Sequence, residues 1–138
     1  MWDNKERVAK ILSRLAPEDA KKVLAYIADR NMPLSETLKN LMFGFEDVTM
    51  LSEKEMQQLH QKIDSHDLVL ALKGLDEAQR EMLLRGLSAK RKAMILSELE
   101  LTGAVKAKEV EAARQRIAET ARQMIESGEM SPGEAWIE

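Results

Sequence analysis

The chain has 138 residues, of which 33% are charged and 4% aromatic, with a formal net charge of −3. That length amounts to about one domain, able to bury roughly two-thirds of its unfolded surface without staples. The absence of cysteine excludes disulfides, thiolate zinc sites and cysteine nucleophiles, and the acidic balance gives no global field that favours nucleic acid.

A composition rich in Leu, Ala, Glu, Lys and Met is that of helices with polar outer faces, so the expected fold class is all-α. Asp3 with Glu6 forms a capping box, and Val8, Ile11, Leu12 and Leu15 follow at helical spacing, which predicts a first helix over residues 4–15. Pro17 suits the first turn of a second helix, with Val23, Leu24 and Ile27 inward and Asn31 as its stop. Pro33 and Ser35 open a third, carrying Leu34, Leu38 and Leu41 into Met42-Phe43. Ser52 with Glu55 is a second capping box, and Met56, Leu59 and Ile63 mark an apolar stripe to residue 63. Ser65, Asp76 and Ser88 cap, and Gly74, Gly86 and Gly103 close, three helices over 66–73, 77–85 and 89–101. The last helix runs over 107–126, with Val110, Ala113, Ile117 and Ala121 inward and Gly128 beyond its end. Ser131-Pro132-Gly133 then opens a flexible tail over 131–138, in which Trp136 and Ile137 have the means to dock locally.

On a 100° helical wheel, Ser97 and Glu98 return to the side of Lys90, while Ile95, Leu96 and Leu99 point toward a core. Met94 and Leu101 fall on the Lys90 side, so the outer ridge mixes cation, apolar and acidic groups. On periodicity alone an ordinary solvated face is the favoured reading. Isolated charges of both signs on short capped helices suit a rigid presenter of weak electrostatic contacts better than they suit an enzyme.

The segments Leu15–Leu24, Leu75–Leu84 and Leu87–Leu96 share a leucine before the cap and apolar residues at positions nine and ten. This repeated staple hints at an armadillo-like stack of short helices.

Nothing in the chain assembles an active centre or a cofactor site. The six glycines are scattered, with no phosphate-binding loop, and the only histidines, His60 and His66, flank a predicted helix break. Ser65-His66-Asp67 places triad letters in a row, but triad members meet in space rather than along the chain. The basic triplet Lys90-Arg91-Lys92 is followed by Glu98 and Glu100 with no aromatic residue between, a weak phosphate-binding pattern. No apolar run approaches the length of a membrane span, and the first six residues lack a signal-peptide core. A cytoplasmic protein, peripheral to a membrane through partners only, is the expectation.

Met42-Phe43-Gly44-Phe45-Glu46-Asp47, Asp64–Asp67, Ala71-Leu72-Lys73-Gly74, Leu87-Ser88, Gly103-Ala104-Val105-Lys106, Val110-Glu111 and Gly128-Glu129-Met130 together resemble the carboxy-terminal part of the FliG family, the bacterial flagellar motor switch proteins. The resemblance runs without gaps from Val8 to Met130. It implies an armadillo-like segment over 1–41, a Met-Phe-x-Phe hinge at Met42, Phe43, Gly44 and Phe45 within residues 42–51, and a six-helix unit bearing the torque helix over 52–130. It also implies contact with the cytoplasmic loop of a MotA-type stator through Lys73, Lys90, Glu98 and Lys106, and assembly with a FliM-type switch protein and neighbouring FliG subunits at the cytoplasmic face of the flagellar basal body.

The chain departs from the family pattern at four positions. Ser97 stands where the first of two adjacent acids is usual, and Lys90 replaces an arginine, keeping the charge without the planar fork. Gly44 replaces an apolar hinge residue, which is expected to loosen the hinge, and Ala104 replaces a proline. The family's amino-terminal domain, most of its middle domain and its Glu-His-Pro-Gln motif for FliM have no counterpart in these residues. The resemblance therefore allows a torque-bearing rotor and switch component, or a short diverged adaptor that binds rotor or membrane-ring proteins without generating torque.

Overall fold

The structure, a computed structural model, describes residues 4–130. Asp3, one half of the first expected capping box, and the tail with Trp136 and Ile137 lie outside the described residues. Every regular element among those described is helical: α1 (Lys5–Arg14), α2 (Pro17–Arg30), α3 (Met32–Met42), α4 (Phe45–Val48), α5 (Glu53–His60), α6 (Ser65–Leu72), α7 (Glu77–Leu84), α8 (Ala89–Leu101) and α9 (Ala107–Ser127). The chain divides into two compact units, Met1–Gly44 and Phe45–Glu138.

In the first unit α3 packs against both α1 and α2. Its core is Ala9, Leu12, Leu24 and Leu38, with Val8, Ile27, Leu34 and Met42 against it. The opening of α3 differs from the expectation. The cap is Asn31, whose side chain accepts from the Leu34 N–H at 3.1 Å, so one residue both stops α2 and starts α3. Ser35 is instead buried, and its hydroxyl donates to the Leu24 carbonyl at 3.2 Å. A hydroxyl tied across the helix pair cannot also serve a helix start.

The second unit is organised around α6, whose residues Leu68, Val69, Leu70, Ala71 and Leu72 are all buried. A helix apolar on every side needs partners all round. It finds α9 and α8, while α4 and α5 pack on α9. The α9 stripe Ala113, Ile117, Ala121 and Met124 is buried; its small residues let α6 approach closely. Removing the side chain of Leu72, fully buried in this layer, would cost about 2–5 kcal/mol.

Local signals set most boundaries in this unit. Ser52 and Glu55 form the expected capping box, and Asp76 and Gln79 form a second. Helix α5 stops at His60 rather than residue 63, because the Lys62 N–H turns back to the Leu59 carbonyl at 2.9 Å. The cap of α6 is Asp64, which accepts from the His66 N–H at 3.1 Å, and Ser65 already lies inside the helix. Helices α6 and α7 both leave through the same tight turn. Leu72-Lys73-Gly74-Leu75 and Leu84-Arg85-Gly86-Leu87 each pair the first carbonyl with the fourth N–H, at 3.3 and 3.2 Å, and hold glycine at φ 79° and 90°. Those are type II turns, which need a positive φ at the third position. Gly103 is not a left-handed terminator; α8 ends on Thr102 in an extended conformation.

A charged ridge on helix α8

Helix α8 begins where the Ser88 hydroxyl accepts from the Arg91 N–H at 3.2 Å. Ile95 and Leu99 are buried toward α6, which fixes the rotation of the helix and turns the opposite stripe to solvent. Lys90, Ala93, Met94, Ser97, Glu98 and Leu101 share that open outer stripe. Met94 is 61% and Leu101 84% exposed.

The charges on this helix divide into engaged and unengaged. Lys92 pairs with Glu81 at 2.6 Å, and the Arg91 guanidinium donates to the Ser65 hydroxyl at 3.5 Å. The side chains of Lys90 and Glu98 have no such partner among the described residues. They lie eight residues apart, about 12 Å along the axis, farther than the roughly 8 Å screening length of physiological salt.

Their order along the helix is electrostatically adverse. The first turns carry Lys90, Arg91 and Lys92 and no acid, and the last turn carries acids and no base. A helix is stabilised by acids at its start and bases at its end, so these charges run against the dipole. This signal was present in the sequence, and the wheel alone did not bring it out.

Lys73 occupies the second position of the first tight turn and is half-buried. Its Nζ donates to the Thr102 carbonyl at 2.6 Å, at the carboxy-terminal end of α8, where a cation is favoured. Arg85 repeats the device from the second turn, donating to the Leu51 carbonyl at 3.1 Å. Lys106 is exposed at the start of α9, and its backbone N–H donates to the Glu109 carboxylate at 3.4 Å. A cation there faces the positive end of the helix dipole, so its charge does nothing for α9.

The Met-Phe-x-Phe residues divide between the two units. Met42 ends α3 against the first core, and Phe43 follows it in an extended conformation. A Cβ at Gly44 would stand 2.8 Å from the Asn40 carbonyl oxygen, so a steric need accounts for glycine there. Phe45 starts α4, with its ring 5.2 Å from the guanidinium carbon of Arg114.

Arg114 escaped notice in the sequence. From α9 it donates to the Ala71 carbonyl at 3.1 Å and to the Lys73 carbonyl at 2.6 Å. It thereby satisfies the open end of α6 and fixes the backbone that carries Lys73. In the sequence this region was marked by Ala71-Leu72-Lys73-Gly74, which carries no sign of a partner on α9. Among the described residues no group of three or more His, Asp or Glu comes together to hold a metal, and no helix is long and apolar enough to cross a membrane.

The model of the FliG C-terminal domain family matches residues 25–131. The flagellar motor switch protein FliG of Pseudomonas aeruginosa is 34% identical over 128 residues, covering 93% of this chain and 38% of that protein. FliG of Thermotoga maritima is 32% identical over 125 residues, covering 91% and 37%. Among solved structures, full-length FliG from Aquifex aeolicus superposes with a TM-score of 0.78 at 28% identity, covering 91% of this chain and 39% of that one. Residues 116–343 of FliG from Helicobacter pylori give 0.65 at 31% identity, covering 93% and 56%. The chain spans less than two-fifths of the length of these two curated relatives. With a matched region of more than three-quarters of its residues and the same all-α fold, the chain belongs to the FliG C-terminal domain family.

Proposed function

We propose that the chain serves as the stator-facing part of a flagellar motor switch component, with the outer ridge of α8 meeting the cytoplasmic loop of a MotA-type stator. Lys90 and Glu98 make the direct contacts and Lys106 adds a third charge. Lys73 offers its half-exposed ammonium while holding the end of α8 through Thr102. The work takes place at the cytoplasmic face of the basal body, among FliM-type and neighbouring FliG-type subunits.

The observation that carries this reading is the order of charge on α8. Cations at its start and acids at its end oppose the dipole, and Lys90 and Glu98 on its outer face have no side-chain partner among the described residues. Charges that cost a helix stability and pair with nothing among the described residues fit a use outside the chain. Exposed ion pairs contribute only about 0.2–1 kcal/mol each, which suits a contact that must form and release with each step.

The test is the double reversal Lys90→Glu with Glu98→Lys in a motile cell. Swimming and torque are expected to fall while the thermal unfolding midpoint holds or rises, since the new order agrees with the dipole. Undiminished swimming would overturn the reading and leave the adaptor role in its place.

A further inference from the structure

Past Leu99, the last buried residue of α8, the helix has little of its own to hold it. Its final turn carries no base. Thr102 closes it in an extended conformation, and Gly103 does not take the left-handed form that usually ends a helix. Such an end frays unless a group from elsewhere takes up its free carbonyls. Here the Lys73 Nζ donates to the Thr102 carbonyl at 2.6 Å. Thr102 is in turn fastened to Glu98, whose carbonyl accepts from the Thr102 N–H at 2.9 Å and from its hydroxyl at 2.8 Å. The backbone that carries the exposed Glu98 side chain is therefore tied to the turn after α6.

That turn is itself held from α9. A Cβ on Gly74 would meet nothing within 4 Å, so packing on that side does not fix the turn. Arg114 does, half-buried, with its Nε donating to the Ala71 carbonyl at 3.1 Å and its Nη2 to the Lys73 carbonyl at 2.6 Å. A planar guanidinium that grips two carbonyls sets the direction of the backbone as well as its position, which an ammonium at one point does not. The Phe45 ring stands 5.2 Å from the guanidinium carbon and steadies it by a cation–π contact. The links run in series: Phe45 to Arg114, Arg114 to the Lys73 backbone, Lys73 to Thr102, and Thr102 to Glu98.

We infer that Arg114 is the positioning residue of the ridge: it fixes the turn that aims the Lys73 ammonium, and through Lys73 and Thr102 it sets the last turn of α8 and the place of Glu98. The hydrogen bonds of Arg114 go to α6 and its turn, so its effect on α8 passes through Lys73. The Lys90 end is held separately, by the Ser88 cap and the Lys92–Glu81 pair, and is left as it is. The series belongs to the fold; its use in presenting Glu98 rests on the reading of α8 as a stator-facing ridge.

The experiment follows amide hydrogen exchange by NMR in the full chain, with Arg114→Lys, Lys73→Met and the double variant. Arg114→Lys keeps the charge and removes the fork. Each single variant should speed exchange of the Thr102 amide about fivefold or more, measured against the Ala121 amide within α9. The Lys92 amide, bonded to the Ser88 carbonyl at the other end of α8, should change by less than about twofold. The double variant should exceed the faster single by less than about twofold, because both residues act on one link. Lys73→Arg should restore slow exchange, and Phe45→Leu should give a smaller acceleration of the same sign. Effects of Arg114→Lys and Lys73→Met that multiply, an equal rise at Thr102, Lys92 and Ala121, or no acceleration from either Arg114→Lys or Phe45→Leu would overturn the inference.

Affinity of the same variants for the cytoplasmic loop of a MotA-type stator separates this inference from the reading it rests on. Binding weakened by Arg114→Lys and by Lys73→Met, with no further loss in the double variant, supports both. A loop that does not bind, with Thr102 behaving as expected, keeps the positioning role and removes the stator. Binding that Lys73→Met weakens and Arg114→Lys leaves intact would overturn the role of Arg114 in the ridge.

Discussion

The Nζ of Lys73 donates to the Thr102 carbonyl at 2.6 Å, tying the turn after α6 to the end of α8. One cation thereby does two things: it satisfies a carbonyl past the last turn of α8 and complements the negative end of its dipole. Lys73→Met, which keeps the aliphatic stem, should lower stability by about 1 kcal/mol and the melting temperature by about 4 °C. Backbone amides in the last turn of α8 should exchange faster. An unaltered melting curve and unaltered exchange would mean the tie contributes nothing.

Arg114 and Arg116 stand two residues apart on α9 and make contacts of different worth. Arg114 donates to two carbonyls of the α6 end and lies over the Phe45 ring, whereas Arg116 pairs with Asp67 through two bonds at 2.8 and 3.1 Å at the surface. Arg114→Ala strands the carbonyl of buried Ala71 and should cost about 2–3 kcal/mol in urea unfolding. Arg116→Ala should leave the midpoint nearly where it is, because water and salt screen an exposed pair. Equal losses from the two variants would contradict this ranking.

The two type II turns predict unequal costs for the same substitution. A Cβ at Gly74 meets nothing within 4 Å, so Gly74→Ala carries only the left-handed backbone penalty, about 1–2 kcal/mol. At Gly86 a Cβ would stand 3.0 Å from both the Gln57 nitrogen and the Glu53 carbonyl oxygen, so α5 itself would have to move. Gly86→Ala should therefore cost at least about 3 kcal/mol. Thermal melts of the two variants side by side decide it.

His60 is buried, with Nε2 3.0 Å from the Leu83 carbonyl. Burial pushes its pKa below the ordinary 6.5, and the charge of Arg91 adds in the same direction, against the raising effect of the hydrogen bond. Well above pH 6.5 the ring is neutral folded and unfolded, and its ionisation has no effect on stability. As pH falls through 6.5 the unfolded chain takes up the proton first, so stability declines until the depressed folded pKa is passed. Urea unfolding should give a lower midpoint at pH 5.5 than at 7.5, with the difference reduced in His60→Gln. A difference of the same size in the variant would assign it to other groups.

The helices of this chain were legible because each is announced locally. Ser88 opens α8 and the Ser52-Glu55 box opens α5 where their side chains required, and Gly74 and Gly86 end helices by the conformation they alone adopt without strain. Caps misread at Ser65 and Ser35 share one cause. A serine's hydroxyl serves whichever group the fold brings near it, and here those were Arg91 and the Leu24 carbonyl. The short α4 was not anticipated because four residues carry no period; Val48 is buried by its place against α9.

By itself the sequence determined the all-α class, the outward stripe of α8 and the kinship carried by its ordered motifs, since periodicity, capping and spelling are properties of neighbours along the chain. Only the tertiary structure decided which charges are already in use. Lys73 and Thr102 lie twenty-nine residues apart, and Arg114 reaches back forty-one to Lys73. No local pattern encodes such pairings, which arise when the burial of α6 draws its neighbours around it. That same burial settled which charges on α8 found partners and left Lys90 and Glu98 on its outer face.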